Sequence, residues 1–170
     1  MPHIGKKAKQ HGNHLTGEHR RSHAGQAILA ILFMAIWVTD SLFEYSTFLN
    51  QYISPFVQIP LAIVFFLLSG YLAANGLYLV FGKKRQKSGV IRTGVFSFVR
   101  HPIYLSEILL YLGFLMLNVS LAAGVVWVIG IGFFHYISRY EEKLLLARFG
   151  EEYKHYMAEV PMWIPRLWRK

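Results

Sequence analysis

The chain contains no cysteine, which excludes disulfides, thiolate nucleophiles and cysteine-based metal sites. Charge is scarce as well: 16% of its 170 residues are charged, against about a quarter in ordinary soluble domains. Acids are scarcest, nine against eighteen lysines and arginines, for a net charge of +9. No lysine or arginine lies between Ser22 and Gly82, or between His101 and Ser138. A nucleic-acid surface would gather its basic residues in one stripe or patch. Here they fall in three segments, Lys6 to Arg21, Lys83 to Arg100 and Arg139 to Lys170, each flanking a long apolar run. Such flanks suit anionic lipid headgroups and place all three segments on the cytosolic side, with no nucleic-acid partner expected.

Apolar runs at 24–42, 53–81, 102–117 and 119–138 predict four transmembrane helices, since a hydrocarbon core of about 30 Å needs roughly 20 residues at 1.5 Å each. The expected fold class is therefore all-α: a polytopic, multi-pass integral membrane protein with both termini cytosolic. Residues 1–23 read as a disordered basic arm, and 24–170 as one membrane domain closing with a cytosolic amphipathic helix over 139–158. Five irregularly spaced histidines in the arm (His3, His11, His14, His19, His23) have only Glu18 beside them. That is a poor ligand set, so no metal site is expected. The first apolar run ends in Trp37-Val38-Thr39-Asp40 without a small-residue cleavage site, so a retained helix is expected in place of a signal peptide.

Polar side chains within the apolar runs are expected to mark the bundle interior, because they are costly in lipid. Tyr104, Glu107 and Tyr111 share one helical face, as do Tyr71, Asn75 and Tyr78. Glu107 and Tyr111 are the candidate substrate residues. The alternative for Glu107 is an interhelical hydrogen bond.

The densest polar chemistry lies in Thr93 to Tyr104 and in Arg139 to Pro165. A short turn at Asn118-Val119-Ser120 makes the third and fourth helices a hairpin, which returns both segments to one membrane face. Pro102 suits the first position of a helix, where a missing N–H costs nothing. The free N–H groups of that turn, with Arg100 and His101, would favour a carboxylate or phosphate. Glu141 and Glu142 would face them with the opposite charge. Arg100, His101, Arg139 and Glu142 are accordingly the candidate catalytic residues. Taken singly, Arg-His-Pro reads as an interfacial anchor, and the Glu pair with Arg139, Lys143 and Arg148 as a solvated helix face. Their joint occurrence on two sides of one hairpin favours a site for a zwitterionic ligand.

From about Ser88 to Pro165 the chain resembles the isoprenylcysteine carboxyl methyltransferase family and the related membrane phospholipid methyltransferases. The resemblance rests on Thr93-Gly94 before Phe96, on RHPIY at 100–104, on Glu141-Glu142 with Leu145, on FGEEY at 149–153 and on VPMWIP at 160–165. It implies S-adenosyl-L-methionine as methyl donor, held by Ser88, Gly89, Val90, Ile91, Phe96, His101, Pro102, Ile103, Tyr104 and Glu141. It further implies a lipophilic acceptor with a carboxylate or amine head group, arriving from the bilayer. The chain departs from the family pattern at Val95 (often Pro), Ser106 (often Gly) and Met162 (commonly Arg). The animal enzymes place a substrate-binding arginine where this chain has Ile137; the nearest one is Arg139. A prenylated cysteine is therefore not implied as acceptor. Two other classes compete: a membrane sterol-reductase-like NADPH oxidoreductase, and a non-catalytic membrane protein with a degenerate cofactor pocket.

Overall fold

The computed structural model describes residues 14–82 and 89–165, with side chains from His23 onward. Five α-helices follow one another: α1 His14–Phe43, α2 Pro55–Phe81, α3 Pro102–Leu117, α4 Leu121–Phe149 and α5 Glu151–Glu159. Short 3-10 turns at Phe48–Tyr52 and Gly94–Ser97 precede α2 and α3, and the described residues contain no strand. The helix starts follow local chemistry. Ser54 and Ser120 cap α2 and α4, accepting from Phe56 N at 3.3 Å and Ala123 N at 3.0 Å. Pro55 and Pro102 occupy the first turns of α2 and α3, where their missing N–H groups have no partner to lose.

Three of these helices are long and apolar enough to cross a membrane: His23–Phe43 within α1, Pro55–Phe81 and Leu121–Phe149. The fourth apolar helix, α3, has 16 residues and so spans roughly 24 Å. Large apolar side chains lie exposed along α2 and α4, Phe56, Leu67, Phe81, Val125 and Ile129 among them. Water would penalise that surface, whereas lipid does not. The protein is an all-α membrane protein.

Helix α3 packs against both α2 and α4, and α1 packs mainly on α4. Ala62, Ser69 and Gly76, seven residues apart, are the buried small residues of α2. They let its backbone approach α3 closely, the usual device for joining helices in lipid. Ser69 Oγ donates to Ser106 O at 2.7 Å. A Cβ on Gly113 would stand 2.6 Å from the ring of Phe66, and one on Gly76 would stand 2.8 Å from Ile103 Cγ1. The seam between α3 and α4 is instead filled by aromatics: Tyr104 stacks on Phe134 at 5.7 Å, and Trp127 Nε1 donates to Ile108 O at 3.0 Å. At the end of the bundle away from Arg100, fully buried Asp40 of α1 accepts from Ser46 N at 2.7 Å and from the hydroxyls of Ser46 and Ser120. One carboxylate thus pins α1, the following link and the start of α4.

Several expectations change here. The Tyr71–Asn75–Tyr78 face does not mark the interior: all three residues are exposed, and the Asn75 amide donates to Tyr71 O of its own helix at 2.8 Å. The interior face of α2 is its small-residue stripe, because helix approach and not polarity decides which face is covered. Helix α4 does not stop where its apolar run stops near Ser138. It runs on to Phe149, and the chain bends at Gly150, whose φ of +54° suits glycine. The chain is helical from the first described residue, His14, while residues 1–13 of the expected arm and the expected cofactor contact Ser88 lie outside the described residues.

Candidate functional site

The continuation of α4 brings residues 139–142 alongside the start of α3. Arg100 Nε donates to Glu142 Oε1 at 2.7 Å, and its guanidinium also donates to the carbonyls of Met157 at 3.0 Å and Val160 at 2.6 Å. The Arg100 backbone N–H donates to Pro161 O at 3.0 Å. Arg100 is therefore spent on the protein itself, and is not a free cation beside the helix start. His101, buried, lies with Nε2 3.3 Å from Glu142 Oε1 and Nδ1 3.8 Å from Glu141 Oε2. Tyr104 donates its hydroxyl to Glu141, and its ring stacks on that of His101 at 5.8 Å.

The adjacent carboxylates differ in surroundings. The Glu142 side chain is 3% exposed and bound within the Arg100–His101 cluster, whereas that of Glu141 is 26% exposed. Two buried polar atoms on this stretch of α4, Ser138 Oγ and Glu142 Oε2, have no hydrogen-bond partner among the described residues. Arg139, an exposed side chain, approaches Glu142 Oε2 at 3.9 Å. Trp163 closes the far side: its ring lies 5.9 Å from His101, and its indole N–H donates to His135 Nδ1 at 3.3 Å.

Helix α5 is a prop for this cluster. Its buried Tyr153 and Tyr156 pack with Val160, Val90, Leu145 and Phe149. Burial pushes the Tyr153 phenol well above its ordinary range and that of Tyr156 up to about 12, so both stay neutral donors. Tyr156 OH donates to Phe96 O at 2.7 Å, which fixes the turn before α3. Val90 N–H donates to Glu152 Oε1 at 3.4 Å, and Arg92 donates to the Glu152 carbonyl.

Of the residues expected from sequence, Arg100, His101, Tyr104, Glu141 and Glu142 meet in one cluster, with Arg139 at its edge. Gly89 and Val90 lie against α5. Pro102 and Ile103 approach α2 at Gly76, so their side chains are occupied by helix packing. Tyr111, 3% exposed, stacks on Phe33 of α1 at 4.6 Å and belongs to the core shared by α1, α3 and α4. It is occupied by core packing and is not open to a substrate. Glu107 is half-buried on α3. Sequence reasoning left Ser138, His135 and Trp163 without a role. For Ser138 the available signal was its spacing of four from Glu142, which puts both on one helical face.

The phospholipid methyltransferase family profile matches residues 61–152, just over half of the chain. No curated protein and no solved structure matches.

Proposed function

Because the chain belongs to the phospholipid methyltransferase family, we propose that it transfers a methyl group from S-adenosyl-L-methionine to a lipophilic acceptor at the Arg100–Glu142 end of the bundle. The observation that carries this reading is the division of labour between two neighbouring carboxylates. Glu142 is buried and holds Arg100 and His101, while Glu141, partly open, is free to meet a ligand beside Tyr104. Ser138 Oγ and Glu142 Oε2, which make no hydrogen bond among the described residues, fit a bound molecule rich in hydroxyl and amino groups, since buried polar atoms ordinarily find partners.

When bound, S-adenosylmethionine supplies an electrophilic methyl group on a sulfonium. Glu141 accepts hydrogen bonds from its hydroxyl or amino groups. The rings of Tyr104, Phe96 and Trp163 offer faces that attract a cation. The N-terminal turn of α3 would present the Ile103 and Tyr104 N–H groups to a carboxylate. Gly89, Val90 and Ile91 would complete the wall. Arg100 and Glu142 act through His101 and the start of α3, and are positioning residues. Methyl transfer needs alignment more than acid–base chemistry, so a cluster whose ion pairs serve to hold one geometry suits it. Arg139 lies at the rim, suited to an anionic portion of an acceptor headgroup, and Glu107 one turn from Tyr104 suits an amine or hydroxyl. On the reading of four membrane crossings with cytosolic termini, this cluster would lie at headgroup depth, where a lipid acceptor would arrive from the bilayer.

The test is incubation of the purified protein in lipid nanodiscs with methyl-labelled S-adenosylmethionine and total lipid extract, read by mass spectrometry. A lipid heavier by one labelled methyl is expected, and stabilisation by S-adenosylhomocysteine but not by NADPH. Absence of both labelled lipid and donor binding would sink the proposal.

A further inference from the structure

A cavity of about 670 Å³ opens at the end of the bundle away from Arg100, with Trp37, Ser41, Glu44, Phe48, Asn50 and Asn118 in its lining. Its size lies within the range of ligand sites, about 300–1,000 Å³. The whole of α3 separates it from the methyl-transfer cluster: His101 caps one end of that helix and Asn118 the other, roughly 24 Å apart. Whatever occupies this cavity is not in reach of Glu141.

The wall is pre-built. Asn50 Oδ1 accepts from Gln58 Nε2 at 3.0 Å and Val119 N at 2.9 Å, Asn118 donates to Ser41, and the Trp37 indole donates to Phe114 O at 3.0 Å. These bonds hold Trp37, Ser41, Asn50 and Asn118 in place and join α1, α2 and the α3–α4 link around the cavity, while Glu44 and Phe48 stand exposed at its mouth. Its charge has one sign. Glu44 is the single ionisable side chain of the lining, it makes no ion pair among the described residues, and no lysine or arginine lies in 22–82 or 101–138 to offset it. Phosphate or carboxylate would find no cation here. A cation would find a carboxylate with Trp37 and Phe48 beside it, the combination that recognises ammonium groups. Outside the cavity, Leu42, Phe43, Tyr45 and Tyr52 lie exposed, an apolar rim suited to acyl chains.

We propose that this cavity binds the alkylammonium headgroup of a membrane lipid, with the ammonium against Glu44, Trp37 and Phe48 and the chains along the apolar rim. The site is separate from the methyl-transfer cluster and stands whether or not that reading holds. The experiment uses the full chain in non-ionic detergent with a short-chain phosphatidylcholine carrying a photoreactive group next to its ammonium. Labelled peptides should map to residues 37–52 and 117–118. Unlabelled phosphatidylcholine should compete, and phosphatidylglycerol should not. Glu44→Gln and Phe48→Ala should each weaken labelling at least fivefold, whereas Glu141→Ala should leave it unchanged. The exposed Phe48 carries the test if Glu44→Gln fails to fold. Phosphatidylglycerol competing as well as phosphatidylcholine, or labelling confined to the Arg100–Glu107 region, would overturn the proposal. Free choline competing as well as the lipid would overturn the lipid as its source.

Discussion

Arg100 Nε lies 2.7 Å from Glu142 Oε1, with the two side chains 9% and 3% exposed. The same guanidinium reaches the carbonyls of Met157 and Val160, so one arginine ties the start of α3, the end of α4 and the C-terminal segment together. Removing one partner of a buried pair leaves an uncompensated charge. Glu142→Ala should therefore destabilise the fold by about 3–5 kcal/mol, read by chemical denaturation in mixed micelles. Arg100→Lys keeps the charge but loses the planar fork that serves three acceptors, and should also lower the unfolding midpoint. An unchanged midpoint in Glu142→Ala would refute the clamp.

Glu141 should behave differently from its neighbour. Hydrogen bonds to a charged group contribute about 1.5–3 kcal/mol each, so Glu141→Ala should weaken S-adenosylmethionine binding at least tenfold by calorimetry. Its melting temperature should stay near that of the parent. Glu151→Ala serves as the control, because that side chain is solvent-exposed and, among the described residues, pairs with Lys154 at 3.0 Å. Equal losses of donor affinity in both variants would remove Glu141 from the site.

Close packing of α2 on α3 makes a steric prediction. Gly113→Ala drives a methyl to within 2.6 Å of the Phe66 ring, and such overpacking typically costs about 1–3 kcal/mol. A methyl on Gly132 of α4 would meet nothing within 4 Å, so Gly132→Ala should stay within about 0.5 kcal/mol of the parent. Comparing the two by thermal unfolding in one detergent separates helix packing from the general effect of adding a methyl group.

Membrane orientation is open to direct labelling, since the chain has no cysteine of its own. Lys154→Cys should react with an impermeant maleimide from the cytosolic side alone. Tyr52→Cys, at a side chain 77% exposed near the opposite end of the bundle, should react from the other side alone. Both positions labelling from one face would overturn the arrangement of crossings.

An acceptor that reaches the site through the bilayer should be used more efficiently as its tail lengthens, because each added CH₂ contributes about 0.8 kcal/mol to its transfer from water into the membrane, until it is fully membrane-bound. Acceptors sharing one head group and differing in tail length, compared by kcat/KM, measure this. Equal efficiency for tailless and long-tailed acceptors would remove the membrane route while leaving the methyltransfer intact. Tyr111→Trp, by contrast, should act on stability. Its ring is packed against Phe33 in the core, and a larger side chain there overpacks by about 1–3 kcal/mol.

The sequence by itself determined the class of molecule and the parts of its site. Long runs without lysine or arginine can be buried in lipid only as helices, because every backbone N–H and C=O must be satisfied there. The Arg-His-Pro turn and the Glu pair were legible as motifs, since their chemistry is local. Which of the two carboxylates would be buried was not legible, because Glu141 and Glu142 are identical in type and adjacent in sequence. Only the rotation of α4 against α3 turns Glu142 inward to Arg100 and leaves Glu141 at the opening. Periodicity also could not say which face of α2 meets α3. Ala62, Ser69 and Gly76 win that contact over Tyr71, Asn75 and Tyr78, because backbone approach depends on the shape of the partner helix. The Glu44 cavity likewise exists only in three dimensions: Trp37, Glu44, Asn50 and Asn118 come from three separate parts of the chain, and hydrogen bonds among Ser41, Asn50, Gln58 and Asn118, not a motif, bring those parts together.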